Sequence, residues 1–164
     1  MKYFLPLLTL LLLTACGFQP IYGKNKHSPS GPEDKLALVE ISNIPNREGQ
    51  YLRNALIDRF YRHARPAGGD YLLTVRPLRE NLIDLDITKS SDATRGQLRL
   101  ETDITLADAQ SGKILLQRRL HTITSYNILG SEFATRVSEE NARSNALDDL
   151  ARQIELQLSL YFKR

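Results

Sequence analysis

The chain has 164 residues, of which 41% are hydrophobic and 25% charged, and it carries a formal net charge of +3. That composition supplies one ordinary globular core and excludes a chain disordered throughout, while so slight a cationic excess does not argue for a nucleic-acid partner. A single cysteine, Cys16, leaves no internal disulfide to form, and His27, His63 and His121 lack the spacing of a zinc site.

Lys2 is the only charge ahead of an apolar run from about Phe4 to Leu13, interrupted by Pro6. Crossing a bilayer takes about 20 apolar residues, so the run has the form of a signal-peptide core and not of a membrane span. Leu13-Thr14-Ala15-Cys16 closes it and resembles the bacterial lipoprotein box, in which a peptidase cuts before a thiol already carrying diacylglycerol. On this reading residues 1–15 are a cleaved signal peptide and Cys16 is the lipidation site. Covalent lipid there is the one attached group, with no cofactor or metal expected. Several acyl chains hold far more firmly than one, because each buried methylene contributes about 0.8 kcal/mol. Gly17 stands where an Asp would resemble the inner-membrane retention signal of enteric bacteria, which favours the outer membrane, periplasmic face.

From Gly17 to Asp34 the chain carries Pro20, Gly23, Pro29, Gly31 and Pro32 without apolar periodicity, so residues 16–34 read as a lipidated N-terminus and tether. Residues 35–164 then form a single domain. Leu36 to Ile44 reads as a strand ended by Pro45, which cannot donate a ladder hydrogen bond. Asn46 is placed to cap a helix running to about Ala64, with Leu52, Ala55, Leu56 and Phe60 on one face, stopped by Pro66 and Gly68-Gly69.

Tyr71, Leu73, Val75, Ile83, Leu85 and Ile87 share odd positions, and the interruption from Pro77 to Asn81 keeps that parity. The expectation is one long strand with an irregular middle, buried on one face and wet on the other. After a polar connection, Thr88 to Thr94, its hairpin partner carries Leu98, Leu100, Thr102, Ile104 and Leu106 against Arg99, Glu101 and Asp103. Asp108 to Gly112 supplies turn chemistry before a strand with Ile114, Leu116, Leu120, Thr122, Thr124 and Tyr126, whose facing is blurred by Leu115 and Ile123. From about Ser131 the period becomes 3.6, and Ala146, Leu147, Leu150, Ile154, Leu158 and Phe162 draw a stripe along a helix that reaches nearly to Arg164. The order β-α-β-β-β-α implies an α+β two-layer sandwich, two helices packed on a four-stranded mixed or antiparallel sheet.

Catalytic chemistry is hard to find. Asp84 and Asp86, at i and i+2, share one strand face at a separation that glycoside hydrolysis tolerates, yet the chain has no Trp for a sugar platform. They read as solvated edge charges. The nucleophile elbow and the phosphate-cradling glycine loop are absent as well. Cations concentrate in the middle third, and Arg118-Arg119 point to opposite faces of any regular strand. One of them is then bulged, ion-paired, or free to grip an anionic headgroup bidentately.

Four segments carry a resemblance: Cys16-Gly17-Phe18-Gln19-Pro20-Ile21-Tyr22-Gly23; Ile44-Pro45-Asn46-Arg47-Glu48-Gly49-Gln50 leading to Leu52-Arg53-Asn54; Ser125-Tyr126-Asn127; and Phe133-Ala134 ahead of Ala142-Arg143. In this order and spacing they resemble the lipopolysaccharide-assembly lipoprotein family LptE in its alphaproteobacterial form. Ser144-Asn145 departs from it where a second basic residue would be expected.

The resemblance implies a non-enzymatic role: a plug inside the β-barrel subunit LptD, which helps that barrel assemble and binds lipopolysaccharide during its insertion into the outer leaflet. Its implied partners are therefore LptD, lipopolysaccharide and, through the acyl chains, outer-membrane lipid. The family fold, two helices on a four-stranded sheet, agrees with the residue pattern. A polar barrel lumen suits a guest with charged faces. Lys89, Arg95, Arg118 and Arg119 are candidate lipopolysaccharide contacts from their local chemistry alone. The competing reading is a generic periplasm-facing lipoprotein serving a lipid transporter or envelope scaffold.

Overall fold

A computed structural model describes residues 31–61, 68–87 and 93–163; the expected signal peptide, Cys16, the tether up to Ser30, His63 and Lys89 lie outside the described residues. The elements run α1 (Pro32–Leu36), β1 (Val39–Ile41), α2 (Asn46–Phe60), β2 (Tyr71–Val75), β3 (Arg79–Ile87), β4 (Ala93–Asp108), β5 (Ile114–Asn127) and α3 (Glu132–Phe162). Among the described residues the architecture is α+β, with three helices and a mixed open sheet of five strands. No helix among the described residues is long and apolar enough to cross a membrane.

Two elements exceed the expected count. The first is α1, where Pro32 supplies a pre-set φ in the first turn and Glu33 and Asp34 complement the helix dipole. Its Leu36 joins the core, and the Lys35 ammonium sits 6.0 Å from the centre of the Phe162 ring. The strand expected over Leu36 to Ile44 is correspondingly shorter. At the start of α2 the cap position belongs to Pro45, without a side-chain bond, while Asn46 adopts φ +69°. Asn tolerates that left-handed conformation, so its contribution is to the backbone turn and not to capping.

The second extra element comes from Pro77. β2 and β3 lie end to end along the same edge of β4, with Leu73 opposite Leu106 and Val75 opposite Ile104, then Arg79 opposite Glu101 and Leu82 opposite Leu98. The long strand read from the sequence is therefore present but broken. β1 pairs parallel with β2, and β5 pairs antiparallel with the other edge of β4, so the sheet is four positions wide. The parallel β1–β2 pair is connected through α2, as parallel neighbours require a crossover.

The expected parity across this break does not hold. The Arg76 N–H donates to the Asp103 carbonyl at 2.9 Å, whereas Arg79 already stands opposite Glu101; Pro77 and Leu78 together face Thr102. One extra residue makes a bulge and turns the following side chains over. Leu82, not Ile83, shares the helix side with Leu98, and Leu82, Ile83 and Leu85 are all substantially exposed. The buried Thr102 hydroxyl donates to the Arg76 carbonyl at 2.8 Å, which satisfies the backbone group beside the proline.

Both main helices cover the even-numbered side of β4, where Leu98, Leu100, Ile104 and Leu106 are fully buried. From β5 the even residues Leu120, Thr122 and Tyr126 face the same way. α3 begins at Ser131, whose Oγ accepts from the Ala134 N–H. The Leu129 N–H donates to Thr135 Oγ1 at 2.8 Å and the Asn127 N–H to Ser138 Oγ at 3.3 Å, which fastens the polar early turns of α3 to the end of β5. Thr102→Val keeps the shape but leaves the Arg76 carbonyl unpartnered; a loss of about 1–3 kcal/mol is expected in urea denaturation, and an unchanged midpoint would show the bulge needs no side-chain partner.

Candidate functional site: the uncovered face of the sheet

With the helices on one side, the odd residues of β4 and their cross-strand partners form an uncovered face. Its centre is Glu101 and Asp103. Arg79 from β3 bonds Glu101 at 2.7 Å and Asp103 at 3.3 Å, and Arg119 from β5 bonds Asp103 at 2.9 Å and lies 3.7 Å from Glu101. Arg99, on the same strand as the acids, adds a contact to Glu101 at 3.5 Å. Three guanidinium groups thus surround two carboxylates, and the lattice keeps one net positive charge. Beside it is a shallow depression of about 390 Å³ lined by Arg79, Asn81, Arg99 and Glu101.

These bonds move the titrations. Glu101 is held below the usual carboxylate range first by its bond from Arg79, and Asp103 first by its bond from Arg119 and then by that from Arg79. The same bonds raise Arg79 and Arg119. Opposite charge and hydrogen bonding to the charged form act together here.

A second ionic cluster lies on the helix side. Arg143 of α3 bonds Glu80 of β3 at 2.7 Å, Glu139 at 2.6 Å and Glu140 at 2.8 Å, and Arg47 of α2 reaches Glu140 at 2.9 Å. Its bond to Glu80 is the chief reason the Arg143 guanidinium holds its proton more firmly than usual. The neighbouring cleft, about 320 Å³, is lined by Pro45, Asn46, Gly49, Leu78 and Glu80 as well as Arg143. Gly49 is needed there, since a Cβ would come within 2.7 Å of the Ile44 side chain. With Glu80, Glu139 and Glu140 all engaged by arginine, this cluster ties β3, α2 and α3 together.

The candidates from sequence separate. Arg119 is spent on the lattice, and Arg118 points to the opposite side of β5, exposed, donating to the Gln117 carbonyl at 2.9 Å. Arg95 is exposed on the uncovered face, two and four positions along from Gln97 and Arg99. Asp84 and Asp86 are separated by a register shift, Asp84 lying opposite Gly96 and Asp86 opposite Arg95, so they are not paired teeth of one regular comb. No group of carboxylate, His or Cys side chains among the described residues could hold a metal. Arg79 and Arg99 are the site residues sequence reasoning did not single out. The wet alternation Arg99-Glu101-Asp103 was the available signal, but its partners depend on register.

Comparison with known proteins places the fold. The family model described as LptE, lipopolysaccharide-assembly, matches residues 36–158. An uncharacterised protein of Rickettsia prowazekii (strain Madrid E) is 26% identical over 153 residues, 93% of this chain and 92% of that protein. Among solved structures, a candidate lipoprotein of Caulobacter crescentus CB15 superposes with a TM-score of 0.65 at 23% identity, covering 83% of this chain and 98% of its own. Rare lipoprotein B of Shewanella oneidensis gives 0.55 at 11% identity, with 73% and 89% covered. A minor lipoprotein of Acinetobacter baumannii gives 0.54 at 23%, with 74% and 88% covered. At these identities the structural likenesses establish the fold.

The lattice has a definite acid dependence. Unfolded carboxyls titrate near about 4 and the folded Glu101 and Asp103 lower, so below that point the unfolded chain binds more protons. Their contribution is complete above the ordinary carboxylate range and is lost as pH falls through the folded values. Stability measured by urea denaturation should decline from about pH 5 to about pH 2, and more shallowly in Asp103→Asn; parallel profiles would remove the lattice from the acid response.

Proposed function

Since the chain belongs to the LptE family of lipopolysaccharide-assembly lipoproteins, we propose that it works without catalysis as the plug of the LptD β-barrel at the outer membrane. The family match over residues 36–158 carries this reading. Membership implies an outer-membrane lipoprotein with a role in lipopolysaccharide assembly. The finer claims, occupancy of the lumen, help in barrel assembly and direct lipopolysaccharide binding, rest on physical fit.

That fit is between a polar lumen and a charged guest. A barrel interior lined by polar groups rejects a large apolar surface but accepts a sheet face whose charges are already mutually satisfied. Glu101 and Asp103 with their three arginines make such a face. The net excess of cation, extended by Arg95, leaves guanidinium groups for lipid phosphates, which arginine binds bidentately. Lys89, Arg95, Arg118 and Arg119 are retained as proposed lipopolysaccharide contacts, with Arg95 and Arg118 the more available because Arg119 is engaged by Asp103. Cys16, in this reading, carries the acyl chains that deliver and hold the plug at the periplasmic mouth. Binding to the barrel itself comes from the folded surface.

Affinity purification from gently solubilised outer membranes should recover a large β-barrel, and a soluble form starting after Cys16 should still associate with it. Recovery without any barrel would remove the plug reading in favour of an envelope scaffold. Arg95→Glu with Arg118→Glu should weaken lipopolysaccharide capture several-fold and in a salt-sensitive manner, about 10 Å being the screening length at 0.1 M salt. Capture at wild-type strength across the salt series would take both residues off the contact surface.

A further inference from the structure

The helix side of β5 and the end of α3 carry an apolar feature that the plug reading does not use, bordered by Arg118, which that reading also counts among the lipopolysaccharide contacts. Along α3, Asp149, Gln153, Leu156 and Leu160 recur at helical spacing and so line one face. The first two fasten that face to β5: Asp149 accepts from Thr122 Oγ1 at 2.8 Å, and Gln153 donates to the His121 carbonyl at 3.2 Å. Leu156 and Leu160 continue the line beyond those bonds and are 52% and 49% exposed. On β5, register puts Leu116 and Arg118 on the helix side with Leu120, whereas a bulge at Leu115 sets Ile114 opposite Ala107 and turns it to the uncovered face. An apolar strip therefore follows the free edge of β5 and the C-terminal half of α3.

Cations border it. Lys113, Arg118 and Lys163 are exposed, and the lone carboxylate side chain of residues 150–163, Glu155, is bridged to Arg59 of α2 at 3.1 Å. Asp108, near Lys113, is occupied by the Ser111 hydroxyl and backbone of the turn. The position of the strip is also informative. α1, the first described element, lies against this end of α3, with Lys35 over Phe162.

We propose that this strip seats the domain on an anionic phospholipid bilayer surface, with Leu156 and Leu160 entering the boundary between headgroups and acyl chains and Lys113, Arg118 and Lys163 meeting phosphates. Apolar side chains flanked by cations are what an interfacial element requires, and contact strengthens with anionic lipid. A second copy fits less well, because a symmetric contact through the same strip would set the cationic border of one copy against that of the other. The seat is independent of the barrel, and it would hold the chain at the membrane before any barrel is engaged.

The chain has no Trp, so single reporters are clean. The full chain is reconstituted into phosphatidylethanolamine–phosphatidylglycerol vesicles with brominated acyl chains, carrying either Leu160→Trp or Phe133→Trp. Phe133 is 77% exposed near the other end of α3, about 40 Å away at 1.5 Å per residue. The Leu160→Trp emission should shift to the blue and be quenched at least about threefold more than that of Phe133→Trp. Adding Lys113→Glu and Arg118→Glu, or using phosphatidylcholine alone, should remove most of the difference, with circular dichroism confirming the fold. Equal quenching at the two reporters, quenching at neither, or indifference to lipid charge overturns the proposal. So does a blue shift of Leu160→Trp that grows with protein concentration in the absence of vesicles, which would make the strip a contact between copies.

Discussion

Leu98, Leu100, Thr102, Ile104 and Leu106 are wholly excluded from water, five successive even-numbered residues of β4, and the rest of the fold is arranged to keep them so. β2 and β3 cover one edge of this strand and β5 the other, while α2 and α3 close the face above. Burying a leucine-sized side chain contributes about 1.5–3 kcal/mol, so this row outweighs any ion pair on the surface. A slip of one residue would send the whole row to solvent and bring Arg99, Glu101 and Asp103 under the helices. Register is thus fixed by the core, and the charge pattern of the opposite face follows from it.

That dependence explains how an ionic lattice can be orderly without being a major source of stability. Exposed pairs contribute about 0–1 kcal/mol each, yet Arg79, Glu101, Asp103 and Arg119 meet because three strands are held in register by buried residues on the other side. The same reasoning applies to the seam between α2 and α3, where Arg47–Glu140 and Arg59–Glu155 follow the line on which the two helices pack. Charges here record the packing. The proposed plug role would use that division: one face supplies cohesion and the other a surface whose polar groups keep partners when water is displaced.

Much of this was legible along the chain. The clean alternation in β4 and the change of period at Ser131 identified the central strand and the long helix, because each pattern persists over more residues than chance would sustain. The facing of β5, blurred in the sequence by Leu115 and Ile123, was settled only by its register on β4, which also turns Ile114 away from Leu116. Pro77 was recognised as a break, but parity counted across it was misleading: a bulge adds a residue opposite Thr102, and nothing in the local sequence distinguishes one extra residue from two. Asn46 has the chemistry of a cap and the conformation of a turn, a choice made by how Ile44 and Gly49 approach each other.

The family entered separately, as a resemblance carried by ordered segments, and a family model matches residues 36–158; local composition and periodicity by themselves determined the class of fold, the order of its main elements and the core row. They could do so because burial and chain direction impose repeats of 2.0 and 3.6 residues on any sequence that folds this way. Which arginines are bound and which are free was decided only by tertiary structure. Arg118 and Arg119 are neighbours in sequence with the same side chain, and one lies in a carboxylate lattice while the other borders an apolar strip. The difference is made by strands and a helix distant in sequence, whose side chains reach these positions only after the core has set the register.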